Sequence, residues 1–293
     1  MSTKKVNKIA VLTSGGDAPG MNAAIRAVVR TGLYHGLEVF GVTRGYNGMI
    51  EDDIFQMNSK SVANIIQRGG TILKTARSKD FFEPAGRKIA YENLKKRGID
   101  GIVVIGGDGS FKGAQKFSNE FDIPCIGLPG TIDKDIAGSD FTIGFDTAVN
   151  TAVEAIDKIR DTADAHDRLF VVEVMGRDAG WVAAWGGLAG GADTILVPEQ
   201  PVDAAAIDRL VELVTRRRSY ATGASVIVVS EGVQLPEALL NLSGDVPRDE
   251  FGHPRLDKIA VGDAIGPPAL ASTSTVVGGP RQSFVLADRP WVV

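Results

Sequence analysis

The chain is poor in cysteine and histidine and has no surplus of positive charge. A single cysteine, Cys125, among 293 residues cannot close an intramolecular disulfide, and the opening MSTKKVNK runs into a strand pattern with no long apolar secretory stretch. Both features predict a reducing, cytoplasmic setting. Lys+Arg 32 against Asp+Glu 36 leaves a formal charge of −4. Proteins that hold polyphosphate strands do so through a basic surplus, so nucleic acid is not an expected partner. Apolar runs such as 101–105 and 226–229 stop far short of the roughly 20 residues that a bilayer helix needs, and no membrane span is expected. There is no internal repeat.

What the chain has in abundance is glycine, 35 residues, or about 12% against a usual ~7%. With 44% hydrophobic and 23% charged residues the composition is globular, long enough for one large domain or two modest ones. Short β-branched runs recur at 9–12, 39–42, 102–105, 125–128, 169–174, 194–197 and 225–229. They are apolar throughout, as in strands buried on both faces. Helical stretches fall between them at 22–35, 87–97, 112–121, 146–160 and 204–217. Strand, helix, strand predicts an α/β fold with a mostly parallel sheet covered on both faces, binding ligands beyond the carboxyl ends of its strands. Residues 137–145 are a candidate domain crossing. Beyond Ile265 neither a strand nor a helix pattern is sustained.

The strand ends carry the chemistry. Strand 9–12 runs into Thr13-Ser14-Gly15-Gly16-Asp17; glycines at a strand-to-helix turn either let backbone amides approach a phosphate or make a tight turn. Strand 102–105 runs into Gly106-Gly107-Asp108-Gly109-Ser110, where Asp108 is either a ligand for a nucleotide's Mg²⁺ or a helix cap. Strand 125–128 leads to Thr131-Ile132-Asp133-Lys134-Asp135. In extended backbone the carboxylates of 133 and 135 face one way, to serve as base and metal shell, unless the loop is merely a solvated acidic one. Met175-Gly176-Arg177 and Ser230-Glu231-Gly232 close two further strands with groups suited to phosphate and hydroxyl. Arg216, Arg217 and Arg218 end a helix, as the macrodipole favours, or line an effector site. The signature G-x-x-x-x-G-K-[ST] is absent, and residues 107–113 miss G-x-G-x-x-G by one residue. His35 and His253 belong to no motif, and Trp181 and Trp185 are expected to pack on one helix face.

Taken in order, SGGDAPGMNA, GGDGS, PGTID-D, TIGFDTA, VMGR and SEG resemble the 6-phosphofructokinase family over about residues 8–265. The resemblance implies two doubly wound, mostly parallel-sheet domains with the active site in the cleft between them. These would be a nucleotide-binding domain at 1–143 and a sugar-phosphate-binding domain at 144–265, with an atypical tail at 266–293. It implies a glycolytic kinase that moves the γ-phosphoryl of ATP, with Mg²⁺, to the 1-hydroxyl of fructose 6-phosphate in a homotetramer. By the same resemblance Gly16, Arg77, Ser78, Gly107, Asp108, Gly109 and Ser110 form the nucleotide site, with Asp108 as metal ligand. Asp133 is the base, Thr131 and Arg177 assist, and Ile132, Arg168, Met175, Gly176 and Glu231 complete the sugar-phosphate site. Arg26, Arg30, Arg160 and Asp193 match an effector site. Pyrophosphate-using members are similar but carry Asp and Lys where this chain has Gly109 and Gly130, which implies ATP as donor.

Three departures stand out. Lys134 replaces the family's Asn and sets a cation beside Asp133, which favours the charged carboxylate and weakens it as a base. Asp178 follows VMGR in place of His or an aromatic, putting negative charge next to Arg177. Beyond Ile265 the LGHxQRGG segment is missing, which reads as a shifted frame or truncation after about Gly266. Two other readings stay open: a non-catalytic nucleotide-binding regulatory paralogue, and a different kinase using a GGDG turn, which would lack the PGTIDxD and VMGR partners.

Overall fold

A computed structural model of the chain describes residues 6–219, 224–236, 265 and 283–285. His253 and the tail fragments 276–282 and 287–289 lie outside the described residues. The chain divides into two compact units, one running up to Phe145 and the other beginning at Asp146.

In the first unit the apolar runs form the centre of a six-stranded sheet. The strands are β1 (Lys8–Ser14), β2 (Glu38–Val42), β3 (Ile54–Met57), β4 (Gly101–Gly106), β5 (Cys125–Thr131) and β6 (Ile143–Gly144), in the order β3-β2-β1-β4-β5-β6. All pairings are parallel except β2 with β3. That edge strand, IFQM, is too short and too mixed in polarity to stand out in the sequence. Helices α1 (Met21–Tyr34), α2 (Gly45–Glu51), α3 (Pro84–Lys96) and α4 (Asp108–Phe121) follow their strands. Leu12, Val42, Tyr46, Met49, Leu94, Ile102, Val104 and Phe117 share one core cluster. The chain leaves β1 in one direction and returns to β4 on its other side. Between these two strands lies the switch point where open α/β sheets bind ligands.

Arg87 is the largest fully buried side chain of this unit. Its guanidinium forks onto Glu120 at 2.6 and 2.8 Å and also donates to the carbonyls of Phe81 and Phe82, so every desolvated N–H that it points inward has an acceptor.

The second unit holds β7 (Leu169–Val174), β8 (Thr194–Leu196), β9 (Ser225–Ser230) and β10 (Ser283–Val285), all parallel, in the order β10-β7-β9-β8. A strand therefore occurs within the tail, where the sequence showed no sustained pattern; three residues are too few to reveal a period. Helices α5 (Phe145–His166), α6 (Trp181–Ala189) and α7 (Ala204–Arg218) complete the elements, with Val171, Leu210, Val214, Ile227 and Val229 in one core cluster.

Trp181 and Trp185, four residues apart on α6, share one face of that helix, and it is the exposed one. They are 43% and 45% exposed, while Val182, Ala183, Gly186 and Gly187 are buried. The helix approaches the sheet so closely that a methyl group on Gly187 would lie 2.8 Å from Ile195 Cγ1. No indole fits on that face, and both face outward. Among the described residues no helix is long and apolar enough to cross a membrane.

Candidate active site

Strand register assembles the first site. Ser14 pairs with Gly106, and Gly106 pairs with Pro129, so the loops after β1, β4 and β5 leave one edge of the sheet side by side. The side chain of Thr131 sits against Gly107: a methyl group there would be 3.7 Å from Thr131 Cβ. A methyl group on Gly15 would meet Ser110 Oγ at 3.5 Å.

The glycines sort by what requires them. Gly20, at the N-cap of α1, has φ 90°, and Gly106 could carry no side chain because Ser14 O would lie 2.5 Å away. Gly16 and Gly109 are different. Neither has positive φ, and a methyl group on either would touch nothing within 4 Å. Conformation and packing both leave them free to be larger, so the bare backbone is kept open toward whatever occupies the space outside. Gly130 does not belong with them. A methyl group on it would come within 2.8 Å of Ile105 Cγ2, so internal packing already excludes a side chain there, whichever phosphoryl donor is used.

Helix α4 begins at Asp108, four residues before the sequence suggested, with extended Gly107 at its N-cap and no side-chain cap. The capping alternative for Asp108 is therefore not what forms. The carboxylate lies in the first turn, where the macrodipole favours it, half exposed and 2.5 Å from Lys112 Nζ. Among the described residues no group of three or more His, Cys, Asp or Glu could hold a metal ion. Asp108 beside open glycines fits a magnesium that arrives with phosphate and water oxygens, and does not fit a resident all-protein cage. Cys125 is no rival nucleophile, since burial pushes its thiol up to about 11.

A strap at residues 68–77, which sequence reasoning left unread beyond Arg77 and Ser78, closes around these loops. Asn22, 1% exposed, donates to the carbonyls of Arg68 and Gly69 and accepts from Ile72 N. Thr13 Oγ1 donates to Lys74 O at 2.7 Å, Thr75 Oγ1 to Gly15 O at 2.7 Å, and Asn47 Nδ2 reaches Arg77 O at 3.4 Å. Ser78 Oγ accepts from Phe81 N. The one hint in the sequence was the Gly69-Gly70 pair, where Gly70 has φ 66°.

Tyr46 ties this strap's far end to the GGDGS loop. Its ring stacks on Phe81 at 3.9 Å, and its hydroxyl donates to Ser110 O at 2.6 Å. Burial holds that hydroxyl far above its usual pKa, so it remains a donor. Tyr46→Phe removes this bond to Ser110 O and is expected to cost about 1 kcal/mol, read as a lower midpoint in urea.

The loop after β5 corrects one expectation. Lys134 has φ 55°, so the backbone between Asp133 and Asp135 is not extended and the two-residue alternation does not place both carboxylates on one face. Asp133 N donates to Thr131 Oγ1 at 3.2 Å. The Lys134 ammonium lies over the rings of Phe141 and Phe145, 5.2 and 5.5 Å from their centroids.

In the second unit, Val174 pairs with Ser230, and the loops after β7 and β9 are stitched together. Glu231 Oε1 accepts from Gly176 N at 3.2 Å and Arg177 N at 3.0 Å. Arg177 is left-handed at φ 50°, and its side chain, like that of Asp178 beside it, is exposed. Met175 is 37% exposed. Arg168 is half-buried, and its amide donates to Ala163 O.

Of the four residues matched to an effector site, Arg26 and Arg30 fall in the first unit and Arg160 and Asp193 in the second. Arg26 and Arg30 lie on α1, Arg26 donating to Val62 O. Arg160 binds the carbonyls of Gly190 and Gly191. Asp193 accepts from Val226 N and pairs with Arg217 at 2.9 Å, so the middle arginine of the 216–218 run serves a buried carboxylate.

A family model for phosphofructokinase matches residues 8–262. The ATP-dependent 6-phosphofructokinase of Cytophaga hutchinsonii is 56% identical over 230 residues, covering 78% of this chain and 69% of that protein. A protein of the same description from Halalkalibacterium halodurans is 58% identical, with coverages of 78% and 70%. Among solved structures, phosphofructokinase from Saccharomyces cerevisiae is similar with a TM-score of 0.78 and 36% identity, over 96% of this chain and 38% of that longer one. A pyrophosphate-dependent phosphofructokinase from Marinobacter aquaeolei is more distant, with a TM-score of 0.67 and 26% identity, over 78% of this chain and 61% of that one. With most of its length matched in sequence and its sheets matched in structure, the chain belongs to the phosphofructokinase family.

Proposed function

We propose that the chain is an ATP-dependent 6-phosphofructokinase, a kinase moving the γ-phosphoryl of ATP to the 1-hydroxyl of fructose 6-phosphate. The products are fructose 1,6-bisphosphate and ADP, as in glycolysis. The observation that carries this reading is the pair of glycines, Gly16 and Gly109, which nothing inside the protein requires, on loops that strand register sets beside Thr131. The unit ending at Phe145 serves as the nucleotide-binding domain, and the unit from Asp146 binds the sugar phosphate. ATP rather than pyrophosphate as donor is supported by relatives of that description at 56% and 58% identity and by the open space at Gly109.

Phosphoryl transfer gives a protein little covalent work; positioning and charge neutralisation supply most of the acceleration. The phosphates lie against the backbone of Gly16 and of residues 107–110, with Arg77 and Ser78 at their side. Asp133 takes the proton of the sugar's 1-hydroxyl as its oxygen bonds to the γ-phosphorus and the bond to the β-phosphate oxygen breaks. Thr131 and Ile132 shape the approach. Glu231 holds the amides of Gly176 and Arg177, and so sets the loop from which Met175 and the Arg177 guanidinium meet the sugar phosphate. A magnesium ion bound through Asp108 and phosphate oxygens would neutralise part of the transferring charge. Arg168 acting from a neighbouring subunit, a homotetramer, an effector site at Arg26, Arg30, Arg160 and Asp193, and a cytoplasmic location belong to the same proposal.

The test is ADP release from ATP and Mg²⁺, coupled to oxidation of NADH. Release that depends on fructose 6-phosphate is expected. ATP binding without release would favour the regulatory paralogue, a reading that the enzyme descriptions of the relatives do not favour.

A further inference from the structure

Lys134 lies inside the loop that carries Asp133, in a left-handed conformation, φ 55°, that a residue with a long side chain adopts only at a steric cost. Something must hold it there. Its ammonium stands 5.2 Å from the Phe141 centroid and 5.5 Å from that of Phe145, within the range where a ring's negative face attracts a cation. The two rings are 6.3 Å apart and tilted by 46°, so they form a corner around the charge. One wall of that corner is fixed: Phe145 is 1% exposed and opens α5. The other, Phe141, is 57% exposed. On the near side of Asp133 the chain is pinned by the Thr131 hydroxyl, which accepts from the Asp133 amide.

We infer that Lys134 is a positioning residue, whose ammonium, seated over Phe141 and Phe145, fixes the left-handed turn that presents the Asp133 carboxylate to the attacking hydroxyl. The inference rests on Asp133 being the base proposed above. It differs from the sequence expectation, in which Lys134 acts by favouring the charged form of Asp133 and so weakens catalysis.

Lys134→Met keeps the unbranched stem and removes the charge. Expected are a kcat lower by roughly tenfold to a hundredfold, the range that small misplacement of a reacting group produces, and unchanged KM for both substrates. Lys134→Arg, whose guanidinium also stacks on rings, restores most of the loss. Phe141→Leu reproduces it, and the double variant Lys134→Met/Phe141→Leu is no worse than either single one because both remove the same contact. Wild-type kcat in Lys134→Met, failure of arginine to rescue, or a displaced acid limb of the kcat–pH profile with an undiminished plateau would overturn the inference. If the wild-type protein releases no ADP with fructose 6-phosphate, the functional reading has failed instead. The clamp is then judged by amide exchange at residues 133–136: faster exchange in Lys134→Met upholds it, and equal exchange overturns it.

Discussion

Asp133→Asn is expected to lower kcat by about 10²–10⁴-fold, the usual contribution of a positioned general base, while ATP binding measured by calorimetry stays intact. The amide is nearly the same size, so the bond from the 133 backbone N–H to Thr131 Oγ1 and the turn around Lys134 survive. What is lost is the group that accepts the proton as the sugar oxygen bonds to phosphorus. In the proposed function nucleotide is bound by other loops, those of residues 13–16 and 106–110, which contact one another through strand register. A kcat within threefold of wild type would mean that another carboxylate on this loop, Asp135 first, takes the proton. Loss of ATP binding would mean that the turn, rather than the base, had been damaged.

Gly232→Ala is the second large effect, and it falls on the other substrate. A methyl group on Gly232 would lie 1.6 Å from the carbonyl oxygen of Arg177 and 3.2 Å from Pro198 Cγ. No side-chain rotation relieves a clash between a Cβ and a backbone oxygen, so one of the two loops must move. Those loops are joined by the bonds from Glu231 to the Gly176 and Arg177 amides and by Glu231 N donating to Val174 O at 2.9 Å. Overpacking of this kind costs typically about 1–3 kcal/mol, and the shift acts directly on the arginine proposed to hold the sugar phosphate. A KM for fructose 6-phosphate raised at least about tenfold, equivalent to about 1.4 kcal/mol, is expected, with KM for ATP little changed. Equal rises in both constants would point to general unfolding, which the melting temperature separates from a local shift. An unchanged KM for the sugar would remove Arg177 from that site.

The fold and the loops of the candidate site were legible because their signals are local. Seven apolar runs of four to six residues became strands, since a strand covered on both faces needs no partner in the sequence to declare itself. The glycine-rich strand ends were visible because ligand-binding turns punctuate such runs. Short elements were not legible: β3 with four residues, β6 with two and β10 with three are too brief for any periodicity. Helix α4 started early because its N-cap is an extended glycine, with none of the side-chain signals that mark a helix start.

The sequence by itself determined the class of fold, the order of its loops, and which residue types each loop carries. Tertiary structure alone decided which of those residues are neighbours and which glycines are free. Ser14 meets Gly106 across 92 positions and Asn22 meets Ile72 across 50, distances over which no local pattern carries information. It also decided that Gly130 is empty for packing while Gly109 is empty without any internal need, that two tryptophans face outward, and that the Lys134 charge rests on two aromatic rings. Each of these depends on which atoms arrive from distant parts of the chain, and a residue's own neighbours in sequence do not specify that.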